Sequence, residues 1–418
     1  MEIFKFGGAS VNSVERIQNL GNLVKEYGQS PMVMIVSAMG KTTNALEKVV
    51  EAFFNGKKEE AIQLFQAIKQ QHINTTKYLL VKEFNPCFAQ LSDFFTEAEW
   101  MLHDQPVREW DYYYDQLVCL GELFSTTIIS FYLKEVGISN QWLDVRDLIR
   151  TDQNFRDANI DWQITSQQIQ QQISKYPNEI IVTQGFIGAT DENESTTLGR
   201  EGSDYTAAVF ANILDAEKVV IWKDVEAVMS ADPKVFPEAT ALPELSFQEV
   251  LEMSFYGAQV IHPKTIQPLF KKGIPLYVKC FTNPLAAGTI IHKKQPKQLP
   301  PIWVHKKSQV LLELKTQDYG FVGEAPMRAL YNWLEHIQAK PNLIQSGAIS
   351  VQLVMDDGSR MEKLAQMAGS LFDVQVMKQL ELLTIRNYTD ELIEKYAANK
   401  NILLIQQTPK TVQILYQS

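Results

Sequence analysis

Cysteine is scarce in this chain. Its 418 residues hold three, Cys87, Cys119 and Cys280, scattered without metal-like spacing. That excludes a disulfide framework and a thiolate metal cluster, and fits a reducing compartment. Positive charge is in deficit: 39 Lys and Arg stand against 49 Asp and Glu, a formal net charge of −10. Without a global basic footprint the chain is not built for nucleic acid, and any anion it binds must meet cations gathered locally. Long apolar runs are missing, and "PMVMIVSAM" (31–39) is far too short to cross a bilayer, so no membrane is expected. The start, "MEIFKFGGAS", has no basic stretch leading into an apolar one. No secretory leader is therefore expected, and the cytoplasm is the expected compartment. Two nucleotide fingerprints are absent as well. There is no G-x-G-x-x-G, and "AMGKTTN" (38–44) is preceded by Ile35 where a P-loop needs glycine.

What is present is an ordinary globular composition, 45% hydrophobic and 21% charged, in a chain long enough for two or three domains. Its first part alternates short apolar runs with helical patterns. "IFKF" (3–6), "MVMIV" (32–36), "EIIVTQGF" (179–186) and "KVVIW" (218–222) read as strands. Helices are expected after Ser13, which suits an N-cap, after "GKTTN", through most of 57–110, over 115–135 and over 203–214. The rhythm predicts an α/β fold with a mainly parallel central sheet covered on both faces, reactive loops lying at the carboxyl ends of its strands. "HKKQPKQLPPIWVHKK" (292–307) reads as a linker. Beyond it, β-α-β-β-α-β and then β-α-β-β predict two ferredoxin-like units, the second lacking its final helix and strand.

Several stretches carry chemistry. "GREGSDYTAA" (199–208) sets Gly199 and Gly202 around Arg200 and Glu201, then Ser203 and Asp204 at a helix start, where free amides favour anions. An ordinary capped turn reads the same way. Lys5 ends a hydrophobic strand just before Gly7 and Gly8, where a phosphate can approach bare backbone. Glu122 is the only charged side chain from Gln116 to Leu133. A buried carboxylate needs a cation, either an internal lysine or arginine or a substrate ammonium. "WKDVEAV" and "SADPKV" place Lys223, Asp224 and Lys234 after a buried strand. Lys264 follows Pro263 at the positive end of a helix, which His262 caps. Lys5, Arg200, Lys223, Lys234 and Lys264 together are expected to supply cations to one strand-end cleft.

In this order, "KFGGASV" (5–11), "VSAMGKTTN" (36–44), "LGE" (120–122), "VTQGFIGA" (182–189), "TTLGREGSDYTAA" (196–208), "WKDV" (222–225), "ADPKV" (231–235) and "MSFYGAQVIHPKT" (253–265) resemble the aspartate kinases. These are amino-acid kinases with C-terminal ACT regulatory domains. The resemblance implies a three-layer αβα catalytic domain over 1–295, a first ACT-like domain over 303–379 and a second, shortened one over 380–418. It implies transfer of the γ-phosphoryl group of Mg-ATP to the side-chain carboxylate of L-aspartate. By match, Lys5 and Asp204 are catalytic, while Ser37, Thr43, Glu122 and Arg200 bind aspartate. Lys5, Gly7, Gly8, Ser203, Lys223, Asp224, Lys234 and Lys264 face ATP, and Mg²⁺ rides on the nucleotide phosphates rather than in a protein metal site. A homodimer through the ACT domains is implied, with lysine or threonine as effector. Three positions depart from the pattern. Glu201 stands in place of glycine and is expected to point away or pair with a lysine. Lys223 replaces a threonine, and Asn342 replaces an acidic residue that holds an effector's ammonium. The alternatives are a kinase of another amino-acid carboxylate on the same fold and a non-catalytic ACT-based amino-acid sensor.

Overall fold

Parallel strands buried on both faces read as unbroken apolar runs, and the chain opens with two of them. β1 (Glu2–Phe6) and β2 (Met32–Val36) are buried at every position. Between them runs α1 (Val14–Tyr27), capped by Ser13 Oγ, which accepts from the Arg16 amide at 3.3 Å. Five helices follow: α2 (Thr42–Phe54), α3 (Lys58–Leu79), α4 (Phe84–His103), α5 (Trp110–Val118) and α6 (Leu120–Glu135). The chain continues as β3 (Asn140–Leu143), α7 (Trp162–Ile173), β4 (Ile180–Gln184) and a small hairpin, β5 (Ile187–Ala189) with β6 (Ser195–Thr197). Next come α8 (Gly202–Ile213), β7 (Lys218–Lys223), β8 (Glu244–Ser246), α9 (Phe247–Tyr256), α10 (Pro263–Lys272), β9 (Leu276–Cys280) and β10 (Thr289–His292). This computed structural model describes residues 1–28, 31–258, 260–398 and 400–417.

Two units separate along the chain: 1–228 with 241–254 and 259–296, and 229–240 with 255–258 and 297–418. In the first, eight strands form one sheet in the order β3-β4-β2-β1-β7-β9-β10-β8. From β3 to β9 all pairs are parallel. The chain moves outward from β1 through β2 and then returns to β1's other side as β7. That reversal makes the carboxyl ends of β1 and β7 a topological switch point, where α/β sheets bind ligands. The single helix expected over 115–135 is two, α5 and α6, meeting at Cys119, whose backbone stays helical (φ −56°, ψ −29°). Among the described residues Trp110–Glu135 is the one helical run long and apolar enough to cross a membrane, and nearly all of it is buried inside the fold. The α3–α4 pair packs on it through Phe95 and His72, both against Phe124.

The second unit is a six-stranded antiparallel sheet with three helices. Its elements are β11 (Ile302–Thr316), α11 (Glu324–His336), β12 (Leu343–Ser346), β13 (Ser350–Asp356), α12 (Ser359–Ala368), β14 (Phe372–Arg386), α13 (Asp390–Ala397), β15 (Asn401–Gln407) and β16 (Thr411–Gln417). Strand order is β12-β13-β11-β14-β16-β15. Both β11 and β14 are long enough to serve two ferredoxin-like units. The end of β11 pairs with the start of β14, while Ile302–Lys306 pairs with Leu382–Arg386. This corrects the expectation that the second unit lacks its last strand, because Ile302–Lys306, within the stretch expected to be a linker, fills that place. Among the described residues no second helix packs there. Ala231 and Phe236, from the 229–240 segment, pack instead against Leu383, Ile385, Val412 and Ile414. Asn342 is fully engaged: its Oδ1 accepts from Lys306 Nζ at 2.8 Å, and its Nδ2 donates to Gln309 Oε1 at 2.7 Å and Asp356 Oδ1 at 3.0 Å.

Candidate active site

Lys5 is the penultimate residue of β1, next to the switch point, and is almost fully buried. Such a burial needs an anion. Asp204 supplies it from the first turn of α8, with Lys5 Nζ 2.7 Å from its Oδ1. A second lysine, Lys223 at the end of β7, brings Nζ to 3.9 Å from Oδ2 of the same carboxylate and donates to the Val260 carbonyl at 2.8 Å. Burial pushes the Asp204 carboxyl up, but the charges of Lys5 and then Lys223 outweigh it and hold the group below the usual carboxylate range. Asp204 is therefore an anion at any physiological pH.

Around this triad lies a pocket of about 620 Å³, within the range of small-molecule sites. Its floor is backbone. A Cβ on Gly8 would lie 2.6 Å from the Ala38 carbonyl oxygen, so only glycine lets the β1 turn pass so close to the turn after β2. On the far wall Gly199 has φ +77° and turns the chain from the hairpin into α8, presenting Arg200, Ser203 and the free amides of the helix start.

Opposite the lysines stands Glu122, in the first turn of α6 and 3% exposed. Its Oε1 accepts from the Ala38 amide at 3.2 Å, while Oε2 is buried without a hydrogen-bond partner. Burial pushes its pKa up to about 8, only partly opposed by the Ala38 and Glu122 amides and the charge of Lys5. A carboxylate so desolvated is completed by an incoming cation.

Lys5, Gly7, Gly8, Ser37, Thr43, Glu122, Arg200, Ser203, Asp204, Lys223 and Asp224 all line this one pocket. Lys234 and Lys264 do not. Lys234 belongs to the second unit, on an exposed turn where its amide donates to Asp232. Lys264 is spent on an ion pair with Asp157, and the Lys264 amide donates to the capping His262 Nδ1 at 3.2 Å. Three of the five expected cations thus meet, rather than five. Glu201 does line the pocket and, among the described residues, pairs with no lysine; its Oε2 accepts from the His262 backbone amide at 2.9 Å. Gln259, inside "MSFYGAQVIHPKT", lies outside the described residues.

Sequence reasoning missed Tyr114, Arg156, Phe186 and Thr197 in the pocket wall, and the residue that ties two of them down. Asp115 is wholly buried and accepts from the amides of Arg156 at 2.9 Å and Thr197 at 2.8 Å, and from Thr197 Oγ1 at 2.7 Å. Burial raises its pKa to about 6 against those three hydrogen bonds. The signal was a second carboxylate on the apolar α5–α6 run, one residue before the stretch in which Glu122 stands alone. Among the described residues, no group of three or more His, Cys, Asp or Glu side chains is placed to hold a metal ion.

The sequence profile of the Amino acid kinase family matches residues 1–280. The bifunctional aspartokinase/homoserine dehydrogenase 2 of maize chloroplasts is 35% identical over 296 residues, 70% of this chain. The chain spans about a third (32%) of that relative's length. The lysine-sensitive aspartokinase 3 of Escherichia coli K12 is 30% identical over 364 residues, 85% of this chain and 78% of that one. The crystal structure of E. coli aspartokinase III with aspartate and ADP superposes with a TM-score of 0.84 at 26% identity, covering 100% of this chain and 96% of that one. On these matches, which run through both the pocket-bearing unit and the antiparallel one, the chain belongs to the amino acid kinase family, among its aspartokinases.

Proposed function

We propose that this chain transfers the γ-phosphoryl group of Mg-ATP to the side-chain carboxylate of L-aspartate. The product is 4-phospho-L-aspartate, the first intermediate toward lysine, threonine and methionine. One observation carries the reading. One pocket sets a lysine-bound buried aspartate, Asp204, against a buried carboxylate, Glu122, whose Oε2 has no hydrogen-bond partner among the described residues. The first suits a transferring phosphate, the second a substrate ammonium.

The chemistry asks little of a protein beyond placement. A side-chain carboxyl of pKa about 4 is ionised at neutral pH, so the nucleophile needs no general base. What opposes reaction is repulsion between two anions, relieved by positioning and charge. Lys5 neutralises the moving phosphoryl group and Asp204 holds Lys5 in place. Gly7, Gly8 and Ser203 offer backbone and hydroxyl to phosphates. Arg200, whose planar fork fits a carboxylate, takes the substrate's α-carboxylate, with Ser37 and Thr43 beside it. Glu122 takes the ammonium. Asp224 and Lys223 lie on the nucleotide side. Mg²⁺ bound with the nucleotide would offset phosphate charge, and no His, Cys, Asp or Glu cluster among the described residues is placed to hold it independently.

The same reading assigns catalysis to 1–295 and regulation to ACT-like units over 303–379 and 380–418, the latter completed by Ile302–Lys306. It takes the cytoplasm as compartment, in keeping with three free, buried cysteines, and a homodimer through the ACT units as assembly. The lysine-sensitive E. coli relative makes an amino acid the natural effector. Here the position is the neutral Asn342, and Asp356 beside it already takes Gln309 and Asn342 on Oδ1 with Lys306 Nζ 3.7 Å away, so a lysine ammonium would meet an amide and a carboxylate that already faces a cation. We therefore expect weak or no inhibition by lysine. Initial rates of ADP formation with aspartate, glutamate and acetylglutamate as acceptors, each with and without added lysine or threonine, test the whole assignment. Turnover that ignores aspartate removes it.

A further inference from the structure

We infer that Lys223 is a second catalytic lysine, working beside Lys5 on the transferring phosphoryl group, with Asp204 as the carboxylate that orients both. The inference rests on the phosphotransfer reading above and deepens it.

Three observations carry it. The first is register. β1 and β7 pair in parallel with Lys5 opposite Ile221. Residues two apart on a strand share a face, so Lys223 lies on the same sheet face as Lys5, one step further toward the pocket. The second is the shared anion. Asp204 receives Lys5 on Oδ1 and Lys223 on Oδ2, so one buried carboxylate sets the position of two ammonium groups. Both charges act on it, and together they hold it ionised against burial. The third is freedom to act. Lys223 keeps 28% of its side chain exposed and lines the pocket, while the Val260 carbonyl fixes Nζ from behind. A lysine needed only for packing would not be left facing a cavity.

The chemistry has a use for that second charge. As the bond from the γ-phosphorus to the β,γ-bridging oxygen breaks, its electron pair leaves on ADP. A new bond forms from phosphorus to the acceptor carboxylate oxygen, and no proton moves. Through this step the phosphoryl oxygens stay anionic between two further anions. Asp204 offsets one ammonium, so a single lysine would leave the triad's phosphate side neutral. With two, one net positive charge remains for the transition state.

The test uses the full-length protein and three variants, Lys223→Gln, Lys223→Thr and Lys223→Arg. Measured for each are kcat, KM for ATP and aspartate, MgADP affinity by calorimetry, and Tm. The neutral variants should lose about 100-fold in kcat, the size of loss expected when one preorganised charge donor is removed. MgADP affinity should change less than about threefold, and Lys223→Arg should recover at least about tenfold over the neutral variants. Unchanged kcat with a raised KM for ATP would make Lys223 a nucleotide contact only and overturn the inference. A kcat loss accompanied by a collapse in Tm, or failure of both neutral variants to fold, would assign Lys223 to tethering Val260 and overturn it equally. Wild-type protein without aspartate-dependent turnover removes the reading beneath and this inference with it. Normal wild-type turnover with indifferent variants removes the inference alone.

Discussion

Lys5 and Asp204 form a buried ion pair, Nζ to Oδ1 at 2.7 Å, between the end of a central strand and the first turn of a helix. Both groups are largely withdrawn from solvent, with 11% of the Lys5 side chain and 4% of the Asp204 side chain exposed. Each is stable in place because the other is there, and the pair is rigid for the same reason. Rigidity is what phosphoryl transfer asks of its cations, since a charge already in position costs nothing to reorganise when the phosphate moves.

Breaking that pair is the first prediction. Lys5→Met and Asp204→Asn should each lower kcat by about 100- to 1,000-fold at saturating substrates. Lys5→Met should also cost about 3 kcal/mol of stability, because Asp204 stays buried with only the more distant Lys223. Initial-rate kinetics with circular dichroism of the purified variants checks both. A loss under tenfold in a folded variant would contradict the assignment.

Glu122 makes aspartate binding pH-dependent. In the free protein burial raises its pKa to about 8, so at neutral pH it is mostly protonated and must ionise to hold an ammonium. The KM for aspartate should therefore fall as pH rises from about 6 toward 9, apart from titration of the substrate itself. Glu122→Gln should raise KM about 10- to 100-fold and flatten that profile. For the free protein the sign of the stability effect is opposite. The folded state keeps a proton that the unfolded chain releases above its ordinary pKa of 4.5, so Glu122's contribution declines as pH rises from 4.5 to 8. A KM profile for Glu122→Gln that parallels the wild type would rule out this role.

His72 gives acid sensitivity without touching catalysis. It is wholly buried against Phe124, its Nδ1 near the Ile68 carbonyl and its Nε2 without a partner. Burial lowers its pKa from 6.5 to about 4. Between those values the unfolded chain binds a proton that the folded state refuses, so stability is full above 6.5 and is lost as pH falls toward 4. His72→Phe should remove this part of the acid limb in denaturant titrations at pH 7 and pH 4.5. A wild-type difference between those pH values that persists unchanged in the variant would show that the ring carries no such cost.

Glu201 is under two opposed pressures. Its backbone is left-handed, φ +55°, which disfavours any residue with a Cβ, yet its carboxylate accepts from the His262 amide. Glu201→Ala keeps the strain and loses the hydrogen bond, whereas Glu201→Gly loses both. The alanine variant should be less stable than the glycine one by about 1 kcal/mol. Equal or reversed stabilities by chemical denaturation would mean that the backbone relaxes when the carboxylate is removed.

Much of this is legible in the sequence. β1, β2, β4 and β7 announce themselves as continuous apolar runs because both of their faces are covered. Lys5, Glu122 and Asp204 stand out because a charge inside an apolar or small-residue context must be matched by something. Lys264 misled for a physical reason: the anion at its helix start is Asp157, from a loop distant in sequence. Arg156 and Thr197 were invisible because a buried carboxylate on another element, Asp115, brings them to the pocket. The double use of β11 and β14 was hidden by bulges near Ser308 and Gln379, both at positive φ, where the in–out alternation changes phase and one long strand reads as two pieces.

The measurement that bears most directly on the central claim is product formation from Mg-ATP by the purified chain, read as ADP release together with trapping of the acyl phosphate by hydroxylamine. With L-aspartate both signals should appear in equal amounts, and they should vanish without aspartate and in Lys5→Met. ADP release that is indifferent to aspartate, or that proceeds with no trappable acyl phosphate, would contradict the account.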